Sequence, residues 1–287
     1  MSNPVQVVPT PEESAPAQPA VQQTASSAPW PAEKVAVAAT IAEAANGIHY
    51  AAWGETRVGH SDLERLVGAV PRALAPAIAK RAYFFVPLVI AEGSGDTATV
   101  VAPGYSVDLG DRAVCHRNVT LKIQSGEVEG VFLSTRLVED RFGLAFEFFI
   151  NIAHNFVEAA GVPESFASLA WSQAQAGVRG ETSQDAWETR RRALDPVTNA
   201  EGAAMPPPAS FDERARKNYE ESAFSDSLAI YMLSLSLDFD YHDLREREYP
   251  LLAAPSLAER LRHIATLFPA NDGYDFQILY RRKGSPG

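Results

Sequence analysis

The chain has 287 residues, 46% of them hydrophobic, enough to bury a sizeable core in one large domain or two modest ones. Its net charge of −11 disfavours a nucleic-acid partner, because cationic contacts to phosphate supply most of that affinity. One cysteine, Cys115, excludes an intramolecular disulfide and a cysteine-rich zinc site.

Residues 1–31 are rich in Pro, Ala, Gln, Ser and Thr, and such a segment buries too little surface to offset its ordering entropy. A disordered linker is expected there, with a docking or delivery tail as the sharper alternative. The opening "MSNPVQVVPTPEES" has neither a basic region nor an apolar core, so no secretory signal is expected. No apolar run approaches the roughly 18 residues of a membrane span. A cytoplasmic protein, or one exported without a signal peptide, is the resulting expectation, with no membrane partner.

Residues 32–82 read as N-terminal helices. "AEKVAVAATIAEAANG" is alanine-rich and ends at Gly47, and "HSDLERLVGAV" opens on a capping box of Ser61 and Glu64. Pro71 and Pro76 break the run "RALAPAIAKRA". Residues 83–287 read as one domain. "AYFFVPLVI", "TATVVA", "RAVCHRN", "VTLKIQ" and "VEGVFLST" are short strand-like runs between turn signals, and they predict a small mixed or antiparallel sheet. A long helix is expected from about Thr135 to Ala160, closed by Gly161 and Pro163. Shorter helices over 162–195 and a loop at 199–210 follow. Further helices over 222–237 and 256–268, the second with a Ser256/Glu259 cap, lead to a last strand or tail. The order makes an α+β fold. The basic runs at 188–194 and 280–284 read as solvated faces, and Cys115 as a core cysteine poorly placed for His116, its strand neighbour. His49, His60, His242 and His263 read as surface residues, and Asp238 and Asp240 as a helix end without a calcium loop.

The long helix carries the chemistry. At 100° per residue its Phe, Ile, Leu, Ala and Val positions cover about two-thirds of the circumference, which marks it as buried. Arg136, Asp140, Glu147, Asn151, His154 and Glu158 fall in one narrow stripe with Gly143. Charges on a buried helix are costly unless paired or ligated, so the stripe must face a wet cleft, partners or a metal. The bland reading is a solvent-facing slit. The functional one is a cleft in which His154 and Glu158, one turn apart, share an ion.

"AHNFVEAAG" together with "RKNYEESAFSDSLAIYMLSLS" resembles the zincin metallopeptidases, in particular the anthrax-lethal-factor-like family, over about residues 83–268. In that family an HExxH helix supplies two histidine ligands and a glutamate base. A later helix supplies a carboxylate ligand seven residues after a tyrosine that faces the site. The resemblance places His154 at the first histidine, Glu158 at the second, Asp226 at the third ligand and Tyr219 at the site tyrosine. Asn155 stands at the general base and cannot take a proton from metal-bound water. One imidazole and two carboxylates form a harder set than zinc prefers, closer to manganese, calcium or iron.

The sequence therefore predicts a zincin-like domain behind a disordered tail. Its reading is a pseudoenzyme binding a peptide or protein partner in the old cleft, beside Asn151 and Asn155, with no cofactor. The alternatives are a metal-dependent hydrolase that uses a divalent ion on His154, Glu158 and Asp226, with Glu147 or Glu158 as base and Tyr219 assisting, and a structural or assembly component. The first two require His154, Glu158 and Asp226 to converge within roughly 6 Å, with Tyr219 at the cleft edge.

Overall fold

The structure, a computed structural model, describes residues 28–91, 99–123, 126–136, 140–194, 212–239 and 249–278. It begins with β1 (Trp30–Pro31), α1 (Ala32–Ala38), β2 (Ala42–Glu43) and β3 (His49–Ala52). The expected helix to Gly47 is therefore cut short. Asn46-Gly47 is a hairpin turn with Gly47 at φ +89°, and the buried Asn46 amide donates to the carbonyls of Val67 and Val70. That tertiary anchor outweighs the helical preference of the alanines. The tail expected over 1–31 lies outside the described residues up to 27. Its last two residues form β1, with the Trp30 ring 5.5 Å from that of Trp53.

Helix α2 (His60–Gly68) and a 3-10 turn (Arg72–Ile78) follow, then β4 (Arg81–Val86), β5 (Leu88–Ala91), β6 (Thr99–Ala102), the short α3 (Val107–Gly110), β7 (Ala113–Val114), β8 (His116–Ile123) and β9 (Gly126–Ser134). Neither capping box forms. Helix α2 starts behind Gly59, and Glu64 faces His60 at 3.3 Å instead of reaching back to Ser61.

The strands make two sheets, not one. A mixed sheet has the order β2-β3-β4-β9-β8, with β3, β4 and β9 parallel and β8 antiparallel at the edge. An antiparallel sheet has the order β1-β6-β5-β7. The N-terminal segment thus adds two strands to the main sheet as well as helices. Alternation sorts β4 cleanly. Tyr83 and Phe85 enter the main core, while Ala82, Phe84 and Val86 enter a second core towards the small sheet. Strand β9 repeats the pattern, and Phe84 stacks on Phe132 with centroids 4.6 Å apart. Pro87 separates β4 from β5, so one chain segment passes from sheet to sheet. Ser134 stitches the junction: its Oγ accepts from Val89 N–H at 2.8 Å and donates to the Val114 carbonyl at 2.5 Å.

The helical layer is α4 (Arg141–Ala160), α5 (Glu164–Gln175), α6 (Gln184–Leu194), α7 (Glu213–Ser236) and α8 (Ala254–Leu267). Helix α4 is capped by Asp140, which accepts from Gly143 N–H, and ends at Gly161. It packs on the mixed sheet through Phe148, whose ring meets Tyr83 and Phe85, each at 5.3 Å. Helix α7 is longer than expected because Asp212 caps it, accepting from Arg214 and Ala215 N–H groups. It is buried over most of its length, and Ser227, Ser234 and Ser236 return their hydroxyls to their own helix's carbonyls. Helix α8 begins behind Ala253, so Ser256 lies within it rather than capping it. Gly180, at φ +79°, lies against the chain just before α8, where a Cβ would come within 2.0 Å of the Leu251 carbonyl oxygen. That close approach lets Glu181 pair with Leu251. The expectations for 199–210, 280–284, Asp240 and His242 fall outside the described residues.

Candidate functional site

The polar stripe of α4 does not face one cleft. Arg136 donates to the Gly110 carbonyl, and Asp140 is the N-cap. Glu147 meets His116 of β8 at 2.5 Å, and the buried Asn151 donates to the Glu147 carbonyl. Glu158 is exposed and paired with Arg81, which also holds Glu129 at 2.7 Å. Arg136, Glu147 and Glu158 thus have partners on three different segments, while Asp140 and Asn151 bond to the backbone of α4 itself. Cys115, expected in the core, is half-buried at the break between β7 and β8, and His116 turns to Glu147.

Asn155, the residue at the base position, belongs to the core rather than to a cleft. It is 3% exposed and donates to the Tyr83 hydroxyl at 3.0 Å. Burial pushes the Tyr83 phenol well above its usual value. His154 points the other way and is exposed. Desolvation by the surrounding side chains lowers its pKa, as does the neighbouring His116, against the opposing pull of Asp185 and Glu147.

Asp226 and Tyr219 lie in a buried polar cluster instead. Asp226 is 8% exposed and accepts from Thr182 Oγ1 at 2.8 Å. Burial raises its carboxyl to about 6, although hydrogen bonds from Ser183 and Thr182 pull it down. The Tyr219 hydroxyl donates to Glu181, and Arg260 donates to Tyr219 Oη at 3.0 Å. Glu181 and Arg260 are both fully buried and joined at 2.9 Å, and Arg190 reaches Glu181 at 3.1 Å. Removing one member of such a buried ion pair costs about 3–5 kcal/mol, because the other charge is left uncompensated. The sequence reading missed Glu181, Arg190, Arg260 and Arg81. Arg190 lay inside the run read as a solvated face. Arg260 carried a signal: it sits among Leu257, Leu261 and Ile264, on the apolar face of α8.

The expected ligand set is therefore divided. Glu158 is engaged by Arg81 and Asp226 by hydroxyls, while the neighbours of His154 are His116, Asp185 and Glu147. Among the described residues no three His, Cys, Asp or Glu side chains are grouped to hold a metal ion. These side chains do not fit a zinc, manganese or calcium ion.

What His154 does face is an open cleft of about 900 Å³ between α4, α6 and α7. Glu158, Asp185, Glu188, Glu220 and Glu221 line it, against Arg192 and Lys217. Three of the carboxylates sit in exchangeable helix-surface pairs, Glu188 with Arg192, Glu220 with Arg216 and Glu221 with Lys217. Asp185 is paired with no lysine or arginine among the described residues, and its charge acts on His154. Neither a family model nor a curated protein matches this chain. No helix among the described residues is long and apolar enough to cross a membrane.

Proposed function

We propose that the chain is a non-catalytic binding protein whose cleft takes a basic peptide or protein segment. One observation carries this reading: the 900 Å³ cleft headed by His154 presents five carboxylates and two cations, with Asp185 held by no lysine or arginine among the described residues. An extended segment bearing lysine or arginine would exchange the weak surface pairs of Glu188 and Glu221 for its own. Asn155, turned into the core, supplies no base for hydrolysis.

Fluorescence anisotropy with a labelled Lys/Arg-rich peptide tests the proposal. Saturable binding is expected, weakening as salt screens the exposed charges. Asp185→Asn and Glu188→Gln should each weaken it by about two- to fivefold, the worth of an exposed ion pair. With zinc, manganese or calcium added, no peptide hydrolysis is expected. Metal-dependent hydrolysis that His154→Ala abolishes would overturn the proposal, as would peptide binding indifferent to both cleft substitutions.

A further inference from the structure

A second cavity, of about 620 Å³, lies between the β2–β3 hairpin, α2 and the 270–274 segment. It shares no lining residue with the α4–α6–α7 cleft. Its frame is fixed. The Asn46 amide holds the Val67 and Val70 carbonyls from one side, and the Asn271 amide holds those of Gly68 and Val70 from the other. Tyr274 is pinned by donating to the Arg65 carbonyl at 2.8 Å. Its hydroxyl lies so close to Gly68 that a Cβ there would come within 2.4 Å.

The charge of this cavity is one-sided. Glu43, Glu64 and Asp272 line it against one cation, Arg72. Arg72 is already committed, with Nη2 donating to the Ala45 carbonyl at 2.6 Å. His49 and His60 stand 3.9 and 3.3 Å from Glu43 and Glu64, in exposed contacts that a competing cation can replace.

Tyr50 points to a ligand independently of these carboxylates. It is 6% exposed, yet it lines the cavity, and its hydroxyl has no hydrogen-bond partner among the described residues. Thr99 Oγ1 is the one side-chain polar atom sealed without a partner among those residues, so the Tyr50 hydroxyl opens to the cavity. Buried tyrosines ordinarily satisfy this group, and an open one in a rigid acidic pocket is a place for something that donates to it.

We infer that this cavity binds a small organic cation, an aliphatic primary amine or a guanidinium. Its N–H groups donate to the carboxylates of Glu43, Glu64 and Asp272 and to the Tyr50 hydroxyl oxygen. The aromatic walls of Tyr50 and Tyr274 favour the same charge. Agmatine, putrescine and the tripeptide Gly-Lys-Gly carry the chemistry from two sources, free amines and a protein side chain, and whichever binds names the source.

Isothermal titration of the full chain with these three probes at low salt is the test. Saturable one-site binding of at least one is expected. Tyr50→Phe should weaken it about tenfold, the loss of a hydrogen bond to a charged group. The melting temperature of that variant should stay unchanged, because the hydroxyl serves no protein partner. Glu64→Gln should weaken binding in the same direction. No saturable binding by any probe overturns the inference. So does a Tyr50→Phe chain that binds as tightly as the parent.

Discussion

Asp226 is the residue at which burial and chemistry part company. Its carboxyl rises from 3.8 to about 6, chiefly because burial penalises the ionised form. A folded-state value above the unfolded one means the folded chain binds this proton more tightly. The stability Asp226 contributes is therefore complete below about pH 4 and is lost as pH rises through about 6. Asp226→Asn removes that dependence. Urea unfolding of parent and variant should show their stability difference changing by up to about 3 kcal/mol between pH 4 and 7, with the variant relatively favoured at pH 7. A difference that stays constant with pH would mean that Asp226 titrates normally. The resemblance gave this residue a ligand's role, and Thr182 and Ser183 give it a structural one.

At the scale of elements, α4 is fastened to the mixed sheet by Asn155 and Tyr83. Asn155→Ala leaves the buried Tyr83 hydroxyl without its partner and should cost about 1–3 kcal/mol, measured by denaturant unfolding. The motif-restoring pair Asn155→Glu and Glu158→His should lower the melting temperature further, because residue 155 faces the core. It should take up no zinc on dialysis, because residue 158 lies beside Arg81 and Asp226 is held by Thr182, apart from His154. Zinc uptake by the double variant would instead bring residues 154, 158 and 226 to one site. Helix α4 itself was legible in the sequence, since its phenylalanines and Gly161 give period and stop signal together. Which way Asn155 points was not legible. A helical wheel fixes the angle between residues 154 and 155, and only the sheet decides which of them is covered. The strands from Arg81 to Ser134 were legible as runs, because their apolar residues cluster between turn signals. Their division into two sheets rests on Pro87 and on long-range pairing, neither of which has a local period. The hairpin at Asn46-Gly47 was hidden by its alanines. The cleft beside His154 was legible only in its α4 wall, because Asp185, Glu188 and Lys217 reach it from helices distant in sequence.

At the scale of the whole molecule, the net charge of −11 is not spread evenly, and both cavities take an acidic share of it. Against that outward repulsion the chain is joined across its layers. Arg260 ties α8 to Glu181, three residues before α6, and Arg81 ties the first residue of β4 to the last turn of α4. The junction at Ser134 has a consequence for how the molecule opens. Proteins commonly exchange their amide hydrogens in separate cooperative units, each with its own opening free energy. Here the small sheet shares a chain segment with the mixed sheet across Pro87, and Ser134 at the end of β9 holds both Val89 and Val114. The two sheets should therefore open as a single unit, and the amides of β5 and β6 should exchange with the same urea dependence as those of β4 and β9. Ser134→Ala should split the isotherms, with the small sheet exchanging first. Separate isotherms in the parent chain would show two independent units. If the unit is single, a ligand that steadies the mixed sheet from its helical side also slows exchange in the small sheet, which lies on the opposite face.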